Sequence, residues 1–156
     1  MISSVVLIIA IIILLVIIRY LKKKLRNEST KTNKYTELYI LMTQWMEAKQ
    51  NGQSIAAWLK ENNYRTVAIY GVYLIGERLY AELLDEGINV LYGIDGKSRV
   101  YIEGIKIYKP TDKLPEADAI IVTAVSDFEA IREKLQDKVT AKIYSMKDIL
   151  NEVSIQ

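Results

Sequence analysis

At 156 residues the chain has room for one domain, or for one small domain with an appendage, which excludes a two-domain dehydrogenase. Hydrophobic residues make up 51% and charged residues 26%, with 2 Pro and 7 Gly, so the chain is neither disordered nor collagen-like and has the apolar side chains for a core. The absence of Cys removes disulfides, thiolate nucleophiles and Cys-ligated metal centres, and fits a reducing compartment; the absence of His removes the commonest metal ligand and general base.

The formal net charge of +2 is unevenly spread. Residues 1–34 hold seven basic groups against Glu28, a net of +6, and the remainder holds 14 Lys and Arg against 18 Asp and Glu, a net of −4. A mildly acidic body argues against a nucleic-acid partner, because phosphate binding needs a basic face on the folded domain.

Residues 1–18 contain no charge, and residues 5–18 are an unbroken apolar run of Ile, Leu, Val and Ala. Eighteen helical residues reach about 27 Å, so the segment reads as an uncleaved transmembrane anchor. Arg19, Lys22, Lys23, Lys24 and Arg26 follow it, and by the positive-inside rule they predict an N-terminus outside and a cytoplasmic C-terminal domain. Residues 19–33 read as a basic juxtamembrane linker, ending in the polar tract NESTKTN.

Residues 34–63 read as a helical arm. Tyr35, Leu38, Tyr39, Leu41, Met42, Trp45 and Met46 recur at helical spacing up to Asn51-Gly52, and Ser54 opens a second short helix through Trp58 and Leu59. The aromatic and Met stripe is expected to pack against the domain or against a second copy of the chain.

Residues 64–156 alternate strand and helix patterns. Apolar runs at 66–70, 90–94, 105–108, 119–123 and 142–144 predict strands, and residues 75–86 and 128–136 carry helical faces. Short apolar strands alternating with helices imply an α/β, Rossmann-like parallel sheet, for which the order 3-2-1-4-5 is expected. Residues 100–102 and 105–108 flank Glu103-Gly104 like a hairpin. Ser126 with Glu129, and Ser145 with Asp148, predict capping boxes.

The first strand runs into Gly71-Val72-Tyr73-Leu74-Ile75-Gly76 and then a helix, the place of the dinucleotide-binding turn G-x-G-x-x-G. Gly71 supplies the tight turn and Gly76 close helix-to-strand packing, and Asp95, at the end of the second strand, stands where an acidic residue bonds a ribose hydroxyl. Tyr73 replaces the second glycine, whose bare backbone lets a pyrophosphate approach, and Glu77 puts a negative charge in the first helical turn. A purely structural reading stays open: the glycines serve packing alone and Asp95 opens a turn before Gly96.

Between Thr66 and Leu150 the VAIYG turn, the LYGID strand end, GIKIY at 104–108, Pro110, Leu114-Pro115, DAIIVTA at 118–124 and Phe128 resemble small Rossmann-like domains of bacterial surface-polysaccharide biosynthesis. These are the nucleotide-sugar-binding N-terminal domains of sugar acyltransferases and the N-terminal domains of membrane-bound nucleoside-diphosphate-sugar epimerases or dehydratases. The resemblance implies a nucleotide pocket lined by Gly71, Val72, Tyr73, Gly76 and Asp95 with Thr123, Ala124 and Ser126, and a nucleotide-sugar or NAD(P) as ligand.

No catalytic or metal-binding set is assigned. Tyr20 to Lys24 is the one Tyr-x-x-x-Lys match, and it lies beside the apolar segment, far in sequence from the turn. The expected function is that of a membrane-anchored, cytoplasm-facing binding protein serving surface-polysaccharide assembly. Its expected partners are the membrane, a second copy through the arm, and a membrane glycosyltransferase or polysaccharide-assembly protein. The alternatives are a reduced NAD(P)-dependent epimerase or dehydratase relying on a partner chain, and a ligand-free membrane scaffold.

Overall fold

The computed structural model describes residues 2–97 and 101–154, with side chains from Val6 onward. The chain forms two compact units, Met1–Tyr39 and Ile40–Gln156. The first helix, α1 (Ile2–Gln50), begins in the first unit and ends in the second.

No Gly or Pro occurs before Gly52, so nothing in the backbone chemistry interrupts α1. The tract at 27–33, expected as a linker, is helical. Its threonines turn their hydroxyls onto carbonyls one turn back, Thr30 to Arg26 at 2.9 Å and Thr32 to Glu28 at 3.0 Å, rather than competing with the helix. Lys31 adds an ion pair to Glu28 at 3.2 Å.

The transmembrane anchor and the single-pass localisation derived from it are overturned: among the described residues no helix is long and apolar enough to cross a membrane. The apolar run with described side chains, residues 6–18, is followed at once by Arg19 and then by Lys22, Lys23 and Lys24. Residues 1–5, which the sequence reading counted into the span, have side chains outside the described residues.

In the second unit, α1 ends in a tight turn at Gly52 (φ +74°), with Gly52 N–H donating to Lys49 and Gln53 N–H to Ala48. Ser54 caps α2 (Ile55–Glu61) by accepting from Ala57 N–H at 3.0 Å. Part of the expected stripe is buried: Leu41 and Trp45 are buried together with Ala48, whereas Tyr35, Tyr39, Met42 and Met46 are exposed.

The sheet has five parallel strands, β1 (Thr66–Tyr70), β2 (Asn89–Ile94), β3 (Lys106–Tyr108), β4 (Ala119–Val122) and β5 (Lys142–Ser145), in the order β3-β2-β1-β4-β5. That is the order expected from right-handed crossovers with a switch point between β1 and β4. α3 (Ile75–Asp85) links β1 to β2 and meets the Ile69 side of the sheet at Gly76. α4 (Phe128–Leu135) links β4 to β5 and covers the opposite side, with Ile131 and Leu135 against Ala68, Ile120 and Val122. Both faces of the sheet therefore carry a helix, and β4 is buried throughout. α5 (Met146–Val153) follows β5 and packs on α2.

The hairpin expected around Glu103-Gly104 reduces to one antiparallel bridge, Ile102 to Ile105, and β3 then joins β2 in parallel; Val100 lies outside the described residues. Neither capping box forms as expected. Ser126 sits inside a 3-10 turn, Val125–Asp127, which makes Asp127 the cap residue of α4, and Ser145 precedes α5 without a side-chain cap bond. At the N-terminal edge Asp118 accepts the N–H groups of Thr66 at 2.7 Å and Arg65 at 2.9 Å, which hold its carboxyl below the ordinary value.

Glu82 clamps the helical layer. Its carboxylate is buried in α3 and accepts Trp45 Nε1–H at 2.8 Å, Lys49 Nζ at 2.7 Å and, at 3.3 Å, Ile55 N–H, so α1, α2 and α3 meet on one group. Trp58 Nε1–H to Glu152 at 2.8 Å and Gln44 to Asn151 at 3.2 Å join α5 to the same layer. Glu82→Ala strands two donors, one a buried backbone N–H, while Lys49 is half exposed and regains water. We expect it to cost about 2–4 kcal/mol in urea unfolding, with Glu82→Gln costing less because an amide oxygen still accepts.

Candidate functional site

The C-terminal ends of β1, β2, β4 and β5 meet at one edge, with the turn from β1 into α3 at its centre. Gly71 extends the ladder by donating to Ile94 O at 2.9 Å and then reverses the chain at φ +86°. A Cβ there would lie 2.7 Å from Thr123 Oγ1, and a Cβ on Gly76 would collide with the Gly71 carbonyl oxygen. Both glycines are thus fixed by space, one against the end of β4 and one against the turn itself. Thr123 Oγ1–H donates to Gly71 O at 2.6 Å, with Tyr70 O at 3.2 Å alongside.

Between the glycines the chain turns two side chains in, Val72 and Ile75, and two out. Val72 is buried over Gly93 of β2, where a Cβ would lie 2.5 Å from Val72 Cγ1, and Tyr73 and Leu74 are exposed at 61% and 56%. Leu74, the residue before α3, has φ +26° and ψ −71°, a conformation L side chains rarely adopt and of the kind that clusters at ligand sites. Tyr73 thus stays out of the core. Lys97 Nζ stands 5.4 Å from the centre of its ring.

Asp95 ends β2, half buried, and its Oδ1 accepts Lys97 N–H at 2.8 Å, so it does open the turn at Gly96. Tyr70, at the end of β1, faces two carboxylates: burial, then Asp95, then Asp127 raise its phenol above the ordinary value. The phenol remains a donor at neutral pH between the ends of β2 and β4. Glu77 is exposed in the first turn of α3.

The sequence-predicted residues therefore divide. Gly71, Tyr73, Gly76 and Asp95 come together at the switch point, and Ser126 is exposed nearby at the end of β4. Val72, Thr123 and Ala124 serve differently: Val72 is core, the Thr123 hydroxyl is committed to the Gly71 carbonyl, and Ala124 packs against the cluster that holds Tyr92 and Ile94. Gly93, Tyr70 and Asp127 join the site without having been expected. A glycine inside the LYGID strand was the available signal for close packing at Gly93. Among the described residues no group of three or more His, Cys, Asp or Glu could hold a metal ion. Tyr20 and Lys24 belong to the first unit.

Beside the turn, at the ends of β4 and β5, lies an open cavity of about 420 Å³ between the starts of α4 and α5. Ser126, Asp127, Phe128, Ser145, Lys147 and Asp148 are among its walls.

No protein-family model, curated protein or solved structure matches the chain.

The packing of the turn makes a sharp contrast. Gly76→Ala meets backbone and is expected to destabilise the chain by about 1–3 kcal/mol in urea unfolding, whereas Gly96→Ala, with nothing within 4 Å of its Cβ, should change stability by less than about 0.5 kcal/mol.

Proposed function

We propose that the chain is a binding protein for a nucleotide-type ligand seated across the β1/β4 switch point. In open α/β sheets ligands bind outside the carboxyl ends of the strands where the order reverses, and the turn there has the spacing and glycine packing of a dinucleotide-binding turn. The observation that carries the reading is the contact of Gly76 with the Gly71 carbonyl, with Asp95 at the end of the neighbouring strand. Asp95 retains a second oxygen for a ribose hydroxyl after Oδ1 has accepted Lys97 N–H. The phosphate-bearing portion lies over the turn beside Tyr73, where Lys97 supplies a positive charge and Glu77 a negative one.

Glu77 weakens the attraction for phosphate that a helix start normally provides, so binding rests on ribose and stacking contacts more than on the diphosphate. Nucleotide-sugars are the first class to test, given the resemblance of residues 66–150 to domains that bind them, and NAD(P) is the second. The role fits an accessory or sensing subunit in surface-polysaccharide assembly. No residue pair at this edge is assigned to catalysis.

A thermal-shift panel on the full chain with nucleotide-sugars, nucleoside diphosphates, NAD(P)H and CoA tests the reading. A ligand at 100 times its Kd adds about 2.7 kcal/mol of stability. Asp95→Asn should then weaken the identified ligand about 5- to 100-fold by calorimetry, through loss of a charge-assisted hydrogen bond. If neither the parent nor Tyr73→Gly responds to any of these compounds, the glycines serve packing alone and the chain is a scaffold.

A further inference from the structure

From Val6 to Thr36 every residue of α1 is exposed, so among the described residues no element covers this part of the first unit. The apolar run 6–18 lies within it, and an apolar surface of that extent needs a cover.

The spacing of the apolar residues identifies the cover. Leu7, Leu14 and Leu21 recur every seven residues, and Ile11, Ile18 and Leu25 form a second series of the same period, four positions later. Glu28 and Thr32 hold the next two places, and Tyr35 and Tyr39 resume the seam. All eight apolar seam residues are between 39% and 72% exposed. Within the run 6–18 any spacing meets apolar residues, but beyond it the chain is polar, and three of the four apolar residues between Arg19 and Thr36 (Leu21, Leu25 and Tyr35) fall on the seam. A repeat of this period, sustained over about four heptads, belongs to helices that wrap around one another. We infer that residues 7–39 pair with the same residues of a second copy of the chain, as a parallel, in-register, two-stranded coiled coil.

The residue types select two parallel strands. Isoleucine in one series and leucine in the other, as in Ile11 and Ile18 against Leu7, Leu14 and Leu21, is the combination that favours a parallel dimer. The polar layer selects the register. In register, Glu28 and Thr32 meet their own counterparts, whereas a shift of one heptad sets Glu28 against Leu21 or Tyr35, and the antiparallel alignment that sets Glu28 against Thr32 leaves Leu7 and Ile11 uncovered. Lys31 pairs with Glu28 at 3.2 Å within each copy, which offsets the meeting of two carboxylates. The flanks agree, since Lys22, Lys24 and Lys31 face the partner's Ile17, Ser29 and Thr36, so no two cations oppose each other there. Eight seam side chains at roughly 60–120 Å² each bury on the order of 500–1,000 Å² per copy, the scale of a stable interface.

Sedimentation equilibrium of the full chain at micromolar concentration should give twice the chain mass. The double variant Leu21→Asp with Leu25→Asp should be a monomer, with the fluorescence of Trp45 and Trp58 reporting that the second unit is folded. Orientation is read by crosslinking, because the chain has no cysteine of its own. Leu14→Cys and Tyr35→Cys, three heptads apart on the seam, should each form a disulfide between copies on mild oxidation, and Lys23→Cys, on the far side of the helix, should not. An antiparallel pair brings only its centre against itself, so crosslinking at one seam position alone contradicts the parallel arrangement. A monomeric parent, a trimer or larger assembly, a double variant that stays dimeric, or equal crosslinking through Lys23→Cys overturns the inference. So does a chain that is monomeric in buffer and pellets with phosphatidylcholine vesicles, since lipid is then the cover.

Discussion

The carbonyl oxygen of Gly71 is the point on which the sheet edge depends. It accepts the Thr123 hydroxyl from the end of β4, and it occupies the space that any side chain at Gly76 would need. These two relations bind the end of β1, the start of α3 and the end of β4 into one unit, using only a hydroxyl and two missing side chains. Within the turn Val72 and Ile75 pack into the core, and Tyr73 and Leu74 are left exposed. The strain at Leu74 sits in the same turn, between two fixed glycines.

The rest of the second unit supports that edge from below. Glu82 gathers α1, α2 and α3 on one buried carboxylate, and Asp118 ties the start of β1 to the start of β4 at the opposite end of the strands. Trp58, Tyr64 and Tyr144 form an aromatic cluster beside α5, where burial and the 2.6 Å bond between the two tyrosine hydroxyls push Tyr144 up to about 12. In the same layer Gln44 Nε2 is bonded to Asn151, and Gln44 Oε1 is buried without a partner. At the C-terminal edge Ser145 makes no cap bond to α5, and Tyr70 faces two carboxylates.

The sheet was legible because its signals are local and redundant. Five short apolar runs, the helical face of Leu79 and Leu83, and the Gly71-to-Gly76 spacing all point to one parallel order, and the strands fall within one or two residues of the predicted runs. Features decided by three-dimensional competition were not. The resemblance implies a pocket role for Thr123, whereas its hydroxyl is taken by a carbonyl 52 residues earlier. Ser126 and Ser145 match the capping pattern, but a 3-10 turn moves the first out of the cap position and the second forms no cap bond. In the arm the apolar stripe is wide enough to allow several buried faces, and Glu82, a partner far along the chain, selects the one containing Trp45. The polar tract at 27–33 looked like a linker by composition, although it holds no helix breaker.

Nuclear magnetic resonance on isotope-labelled full chain, titrated with the nucleotide that most raises its melting temperature, tests the placement of the site most directly. A ligand at the switch point predicts amide shifts confined to Gly71, Tyr73, Gly76, Asp95 and their neighbours at the ends of β1, β2, β4 and β5. Shifts that leave the Gly71 turn unmoved, or that fall at the opposite edge around Asp118, would contradict it.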